Sequence, residues 1–183
     1  MRITGGIHAS RRINAPDGKV TRPTLDKVKE AVFSSLGGYF DGGEVLDLYA
    51  GSGAIGLEAL SRGCDKCVFV EPDRKAMACI RENISSLKLD DRCETMLCRD
   101  MAALKILAEK GKKFSLVYLD PPYAKAHHDA VLQYMIKHDL LMHGAKVVIE
   151  SLKEEVYNTD YPSLHPYKDK VYGITRITYY QAD

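Results

Sequence analysis

Glu44-Val45-Leu46-Asp47-Leu48-Tyr49-Ala50-Gly51-Ser52-Gly53-Ala54-Ile55-Gly56-Leu57-Glu58-Ala59-Leu60-Ser61-Arg62-Gly63 decides the fold of this chain. Residues 44–49 are a short apolar strand, Gly51-Ser52-Gly53 is a turn, and residues 54–62 read as a helix stopped by Gly63. Outward from this unit the pattern repeats. Residues 67–71 form a second strand, with a helix from 73 to about 87. Residues 93–98 form a third, with a helix from about 101 to 110. The fourth strand, residues 114–119, leads to a helix from about 127 to 141 with Val131, Leu132, Met135 and Ile136 on one face. Residues 145–150 are the fifth. Near-continuous apolar strands are covered on both faces and run parallel, and their alternation with helices argues a doubly wound α/β sheet.

Both ends depart from this alternation. After Tyr157, the stretch containing Pro162 and Pro166 reads as loop. Residues 169–172 and 175–180 then flank Gly173-Ile174 as an antiparallel hairpin. At the front, Thr24 is placed as the N-cap of a helix running to Leu36 and stopped by Gly37-Gly38, with short strands before it around residues 15–18. The expected architecture is a mostly parallel seven-stranded α/β sheet with a C-terminal antiparallel hairpin and a small N-terminal β/helix extension. Residues 1–40 are assigned to the extension and 41–183 to the core domain.

With 183 residues, 45% apolar and 28% charged, the chain can bury one good core. No stretch approaches the roughly 18 apolar residues of a membrane span, and residues 1–6 carry no apolar signal region. Cys64, Cys67, Cys79, Cys93 and Cys98 are odd in number and scattered, as reduced thiols of a cytoplasmic protein would be. The Cys64/Cys67 spacing has no second pair, so packed thiols are expected there and no metal. Net charge is +1, but residues 1–23 hold Arg2, Arg11, Arg12, Lys19 and Arg22 against Asp17 alone, leaving −3 on the other 160. A basic arm on a mildly acidic body suits contact with phosphate.

Two segments carry chemistry. Gly51-Ser52-Gly53-Ala54-Ile55-Gly56 fits G-x-G-x-x-G, with Glu71 twenty residues past Gly51 at the end of the next strand. That spacing suits a nucleoside cofactor whose ribose meets Glu71, NAD among the candidates. Asp47 within the first strand shifts the reading, because a carboxylate there answers a cationic ligand better than a pyrophosphate. Asp100, just past the third strand, is a further acid able to accept from an adenine amine. With Asp120, three carboxylates at adjacent strand ends suit a sulfonium nucleoside. The second segment is Asp120-Pro121-Pro122-Tyr123, closing the fourth strand. Neither proline donates an N–H, so the strand stops at a stiff corner presenting a carboxylate, a carbonyl and a phenol ring. Those groups can hold a planar base by its exocyclic amine. His127-His128 beyond it read as a solvated first turn, and Lys146 and Glu150 read equally well as site-rim residues or as ordinary strand-end charges.

Residues 45–53 and 119–123 resemble the cofactor and catalytic loops of class I methyltransferases acting on amino groups. The head, Met1-Arg2-Ile3-Thr4-Gly5-Gly6 with Thr21-Arg22-Pro23-Thr24, is similar to that of the RsmD-like family of small-subunit (16S) rRNA guanine-N2 methyltransferases. The resemblance implies S-adenosylmethionine as cofactor. It places Asp47, Tyr49, Ala50, Gly51, Ser52 and Gly53 around the methionine part, Glu71 on the ribose, and Asp100 with Met101 on the adenine. Asp120, Pro121, Pro122 and Tyr123 would hold a guanine of 16S rRNA, naked or in the assembled subunit, with the protein acting as a cytoplasmic monomer. Ile7-His8-Ala9-Ser10 stands where a more basic, glycine-bearing stretch is expected. The two loops alone also admit an adenine-N6 or a protein glutamine-N5 methyltransferase. Outside that class remain a nicotinamide oxidoreductase and a nucleotide-binding module without activity.

Overall fold

The computed structural model describes residues 1–16, 23–120 and 125–183. Strands β1 (Glu44–Asp47), β2 (Lys66–Val70), β3 (Cys93–Met96), β4 (Phe114–Leu119) and β5 (Leu141–Leu152) run parallel. The central strands β1, β2 and β4 are apolar on both sides and buried almost throughout. Strand β7 (Thr175–Ala182) pairs antiparallel with both β5 and the border strand β6 (Leu164–Tyr172), giving the order β3-β2-β1-β4-β5-β7-β6.

Successive residues of a strand point to opposite faces. Val45, Phe69, Leu116, Tyr118 and Val148 therefore join one apolar cluster, and Leu46, Val68, Val117, Leu119 and Ile149 the other. Helices α1 (Pro23–Ser35), α2 (Ala54–Ser61) and α3 (Arg74–Ser86) cover the first face. Helices α4 (Asp100–Glu109) and α5 (Lys125–Lys137) cover the second. Asp73 caps α3 by accepting the Ala76 N–H at 2.8 Å. Ile3 and Ile13 of the N-terminal segment, and Val28, Val32 and Phe33 of α1, belong to the first cluster. The arm is thus anchored in the same core as the sheet.

Several expected boundaries move, each for a local reason. Helix α1 starts at Pro23, which tolerates the first helical position because its missing N–H would have had no partner, so Thr24 lies inside the helix. Helix α5 opens at Lys125 and ends at Lys137, where Asp139 takes a left-handed conformation (φ 55°) and the Leu140 N–H returns to Met135 O at 3.0 Å. That frees Leu141 to pair with Phe114, and β5 is longer than expected. The stretch around Pro166, expected as loop, is strand: β6 borders the sheet and its register slips between Pro166 and Lys168, a setting that accommodates proline. Of the short N-terminal strands, the described residues form a single antiparallel bridge between Arg2 and Arg12. Ser10 adopts φ 69°, backbone that favours glycine, within the stretch where a glycine was expected. Among the described residues no helix is long and apolar enough to cross a membrane.

Candidate active site

In a sheet of this order the connections reverse direction between β1 and β4, and the crevice outside the strand ends there is the usual ligand position. Acids line it. Asp100 follows β3, Glu71 follows β2, Asp47 ends β1, Asp120 follows β4 and Glu150 lies in β5. Since β2 separates β1 from β3, Asp47 and Asp100 are not on adjacent strands as expected, and Glu71 fills the gap between them.

The glycine turn is held from three sides. Asp47 Oδ2 accepts the Gly56 N–H at 3.0 Å, Glu71 Oε2 accepts the Gly51 N–H at 2.9 Å, and the Asn83 amide donates to Ser52 O at 2.9 Å. Within the turn, the Gly53 N–H reaches Ala50 O at 2.7 Å, and the Ala50 N–H reaches Val70 O at 3.0 Å. Gly51 has φ 57°, and a Cβ added there would meet nothing within 4 Å, so this backbone faces an open cradle. Gly56 is needed for another reason. A Cβ there would lie 2.3 Å from the Phe69 ring and 2.5 Å from Cys67 Sγ, so α2 rests directly on β2. Asp47 is buried, and burial pushes its carboxyl up to about 7 against the Gly56 hydrogen bond, with the charges of Asp120 and Glu71 adding to the rise.

Glu71 is partly buried and spans two backbone amides, Gly51 on Oε2 and Asp73 on Oε1, each at 2.9 Å. Every carboxylate oxygen keeps a further lone pair, so a ribose diol can still bind. Asp100 is the first residue of α4. Its Oδ2 accepts from Tyr49 Oη at 2.6 Å and meets His127 Nε2 at 2.5 Å, while Oδ1 takes the Met101 N–H at 2.7 Å. Burial alone would raise Asp100, but the hydrogen bonds from Tyr49, His127 and Met101 hold it below the usual aspartate range. The acceptor set and the open cradle fit S-adenosylmethionine, with the acids Glu71 and Asp100 available to its hydroxyl and amine groups.

Across the switch point, Asp120 is exposed at the end of β4. Leu119 pairs with Ile149, which sets Asp120 beside Glu150. Glu150 accepts from buried Tyr118 Oη at 2.6 Å. Burial, then the Asp120 charge, raises the Glu150 carboxyl to about 7. Pro121, Pro122 and Tyr123 lie outside the described residues.

Arg2, Arg11 and Arg12 are exposed, and Arg11 Nη2 donates to Ser86 O at 2.9 Å. Lys19 and Arg22 lie outside the described residues. Beneath the arm is a polar network absent from the sequence reading. Fully buried Glu58 takes the Thr4 N–H at 2.9 Å, Thr4 Oγ1 at 2.8 Å, Arg62 Nε at 2.7 Å and Lys29 Nζ at 3.0 Å. The signal was present: an acid inside the apolar run of α2, with an arginine one turn later. His127-His128 also correct the expectation of a solvated turn. His127 is one-third exposed and joins Asp100, whereas His128 is buried against Tyr157 Oη and its imidazole is pushed down to about 4 by burial. Cys64 and Cys67 are buried free thiols, and the described residues hold no group of three metal-ligating side chains.

The chain is 36% identical over 181 residues to Bacillus subtilis YlbH, covering 99% of this chain and 98% of that protein. It is 30% identical to the Escherichia coli K12 protein named "Ribosomal RNA small subunit methyltransferase D", covering 100% of this chain and 90% of that one. The solved structure of Escherichia coli yhhF superposes with a TM-score of 0.85 at 31% identity, over 100% of this chain and 98% of that one. Residues 1–181 match the family model described as "Conserved hypothetical protein 95". With this fold and an acid-lined glycine turn at its switch point, the chain belongs to that family, the RsmD family.

Proposed function

We propose that this protein transfers a methyl group from S-adenosylmethionine to the exocyclic N2 amine of a guanine in small-subunit rRNA. The family and its named members support rRNA methylation with S-adenosylmethionine as cofactor. The observation carrying the finer reading is the exposed Asp120 carboxylate at the β4 end, close enough to the glycine turn for its charge to act on Asp47.

The cofactor supplies an electrophilic methyl on a sulfonium. The chain's residues then have three tasks. Glu71 and Asp100 hold the ribose and adenine ends, while residues 49–53 cradle the methionine part. Asp120 and the Pro121 carbonyl accept hydrogen bonds from the guanine N2–H groups. The N2 lone pair is delocalised into the ring, so these acceptors favour a pyramidal nitrogen and absorb the positive charge that grows on it as the N–C bond forms and the methyl–sulfur bond breaks to a neutral thioether. The N2 proton then leaves to Asp120 or to water. One such partner is worth roughly 3–4 kcal/mol in the transition state. Tyr123 stacks on the base once it has left its helix, a step that loops and bulges of RNA permit at small cost. Arg2, Arg11, Arg12, Lys19 and Arg22 contact phosphate and set register.

Mass mapping of small-subunit rRNA from cells lacking the protein tests this reading. One N2-methylguanosine should disappear and return with the wild-type gene. An unchanged map, or loss of an N6-methyladenosine instead, overturns the guanine assignment.

A further inference from the structure

Asn83 of α3 is buried, and nothing in the transfer chemistry calls for it. Its side-chain amide is engaged on both edges. Oδ1 accepts the Asn14 N–H at 2.8 Å, and Nδ2 donates to Asn14 O at 3.0 Å and to Ser52 O at 2.9 Å. One planar group therefore joins the backbone of the basic arm to the middle residue of the cofactor turn. Further contacts follow the same line. Cys79 Sγ lies 3.3 Å from Asn14 O, Arg11 reaches Ser86 O, and Ser52 Oγ lies 3.8 Å from Met1 Sδ.

A bidentate amide paired with a backbone N–H and C=O fixes both distance and angle, so a shift of Asn14 is carried to the Ser52 carbonyl. Ser52 sits between Gly51, which faces the open cradle, and Gly53, which opens α2. We infer that Asn83 is a positioning residue that couples polyanion binding on the arm to cofactor binding on the turn, each favouring the other. This rests on the rRNA reading above. Coupling of this kind is reciprocal, and a pathway of contacts becomes evidence only when the coupling itself is measured.

The experiment is calorimetric titration of S-adenosylhomocysteine into wild type and Asn83→Ala, each with and without small-subunit rRNA. Wild type should bind about tenfold tighter in the presence of RNA, within the ordinary range of such couplings. In Asn83→Ala that ratio should fall to about one, an effect that a merely stabilising amide would not produce. A wild-type ratio of one, or an undiminished ratio in the variant, overturns the inference while leaving the rRNA reading intact. Failure of wild type to bind both naked small-subunit rRNA and the assembled subunit overturns both. If Asn83→Ala does not fold, hydrogen exchange on wild type decides. RNA added without cofactor should slow exchange across residues 50–56, and unchanged exchange there overturns the coupling.

Discussion

The carboxylate of Asp47 lies 3.0 Å from the Gly56 amide, with the glycine turn closed over it. This single bond ties the end of β1 to the first turn of α2. It also commits an acid to the interior, with its carboxyl raised to about 7 by burial. A raised carboxyl binds its proton in the folded state after the unfolded chain has lost it. Stability therefore falls as pH climbs from about 4 to about 7 and levels off above. Asp47→Asn keeps an acceptor for Gly56 and removes the charge. Its melting temperature should exceed wild type by several degrees at pH 8 and by little at pH 5, as scanning calorimetry would record. An equal offset at both values would mean that the carboxylate is not the source.

Asp120→Ala should reduce methyl transfer by at least a hundredfold, the loss of one preorganised partner of developing charge. Affinity for S-adenosylhomocysteine should change less than threefold, because Asp120 is on the β4 side of the switch point. Single-turnover assays and calorimetry read the two quantities separately. Wild-type turnover in the variant would remove Asp120 from the chemistry.

Arg11→Glu with Arg12→Glu should weaken rRNA binding and flatten its dependence on salt by a slope of about 1.5, as expected for two lost phosphate contacts. Filter binding across a salt series measures this. An unchanged slope would make both arginines mere surface charges.

Glu58→Ala leaves Lys29 and Arg62 buried without their shared acid. Removing one partner of a buried pair costs about 3–5 kcal/mol, which in a chain of this size lowers the melting temperature by roughly 10 °C. Glu58 is tied to Thr4, so limited proteolysis should cut first near the N-terminus of the variant. Burial would raise the Glu58 carboxyl, but Lys29, the Thr4 amide and Arg62 bring it below the ordinary glutamate range. The stability it contributes is therefore present at neutral pH and lost as pH falls through that lowered value.

How much could be read from residues alone depended on the range of the interaction. The alternation of strands and helices and the apolar face of α5 follow from local periodicity, and the glycine turn and Asp120 corner are contiguous motifs, whereas the order of the strands is set by long-range pairing. Partnerships across the chain left a weaker trace. Nothing near Asn83 announces a bond to Asn14, and the Tyr49–Asp100–His127 group draws on three separate connections. Pro166 misled in the opposite direction, since a proline signals a break unless the strand is already known to lie at the sheet's border.

That border has a consequence of its own. Strand β6 offers one row of backbone groups to the surroundings, and another chain could zip onto a long, flat, apolar row of that kind. Here a proline, a register slip and the cations Lys168 and Lys170 interrupt the row. At the opposite margin β3 is four residues long. Straightening β6 by Pro166→Val and Lys168→Val would turn a guarded hem into a template for fibrous aggregation.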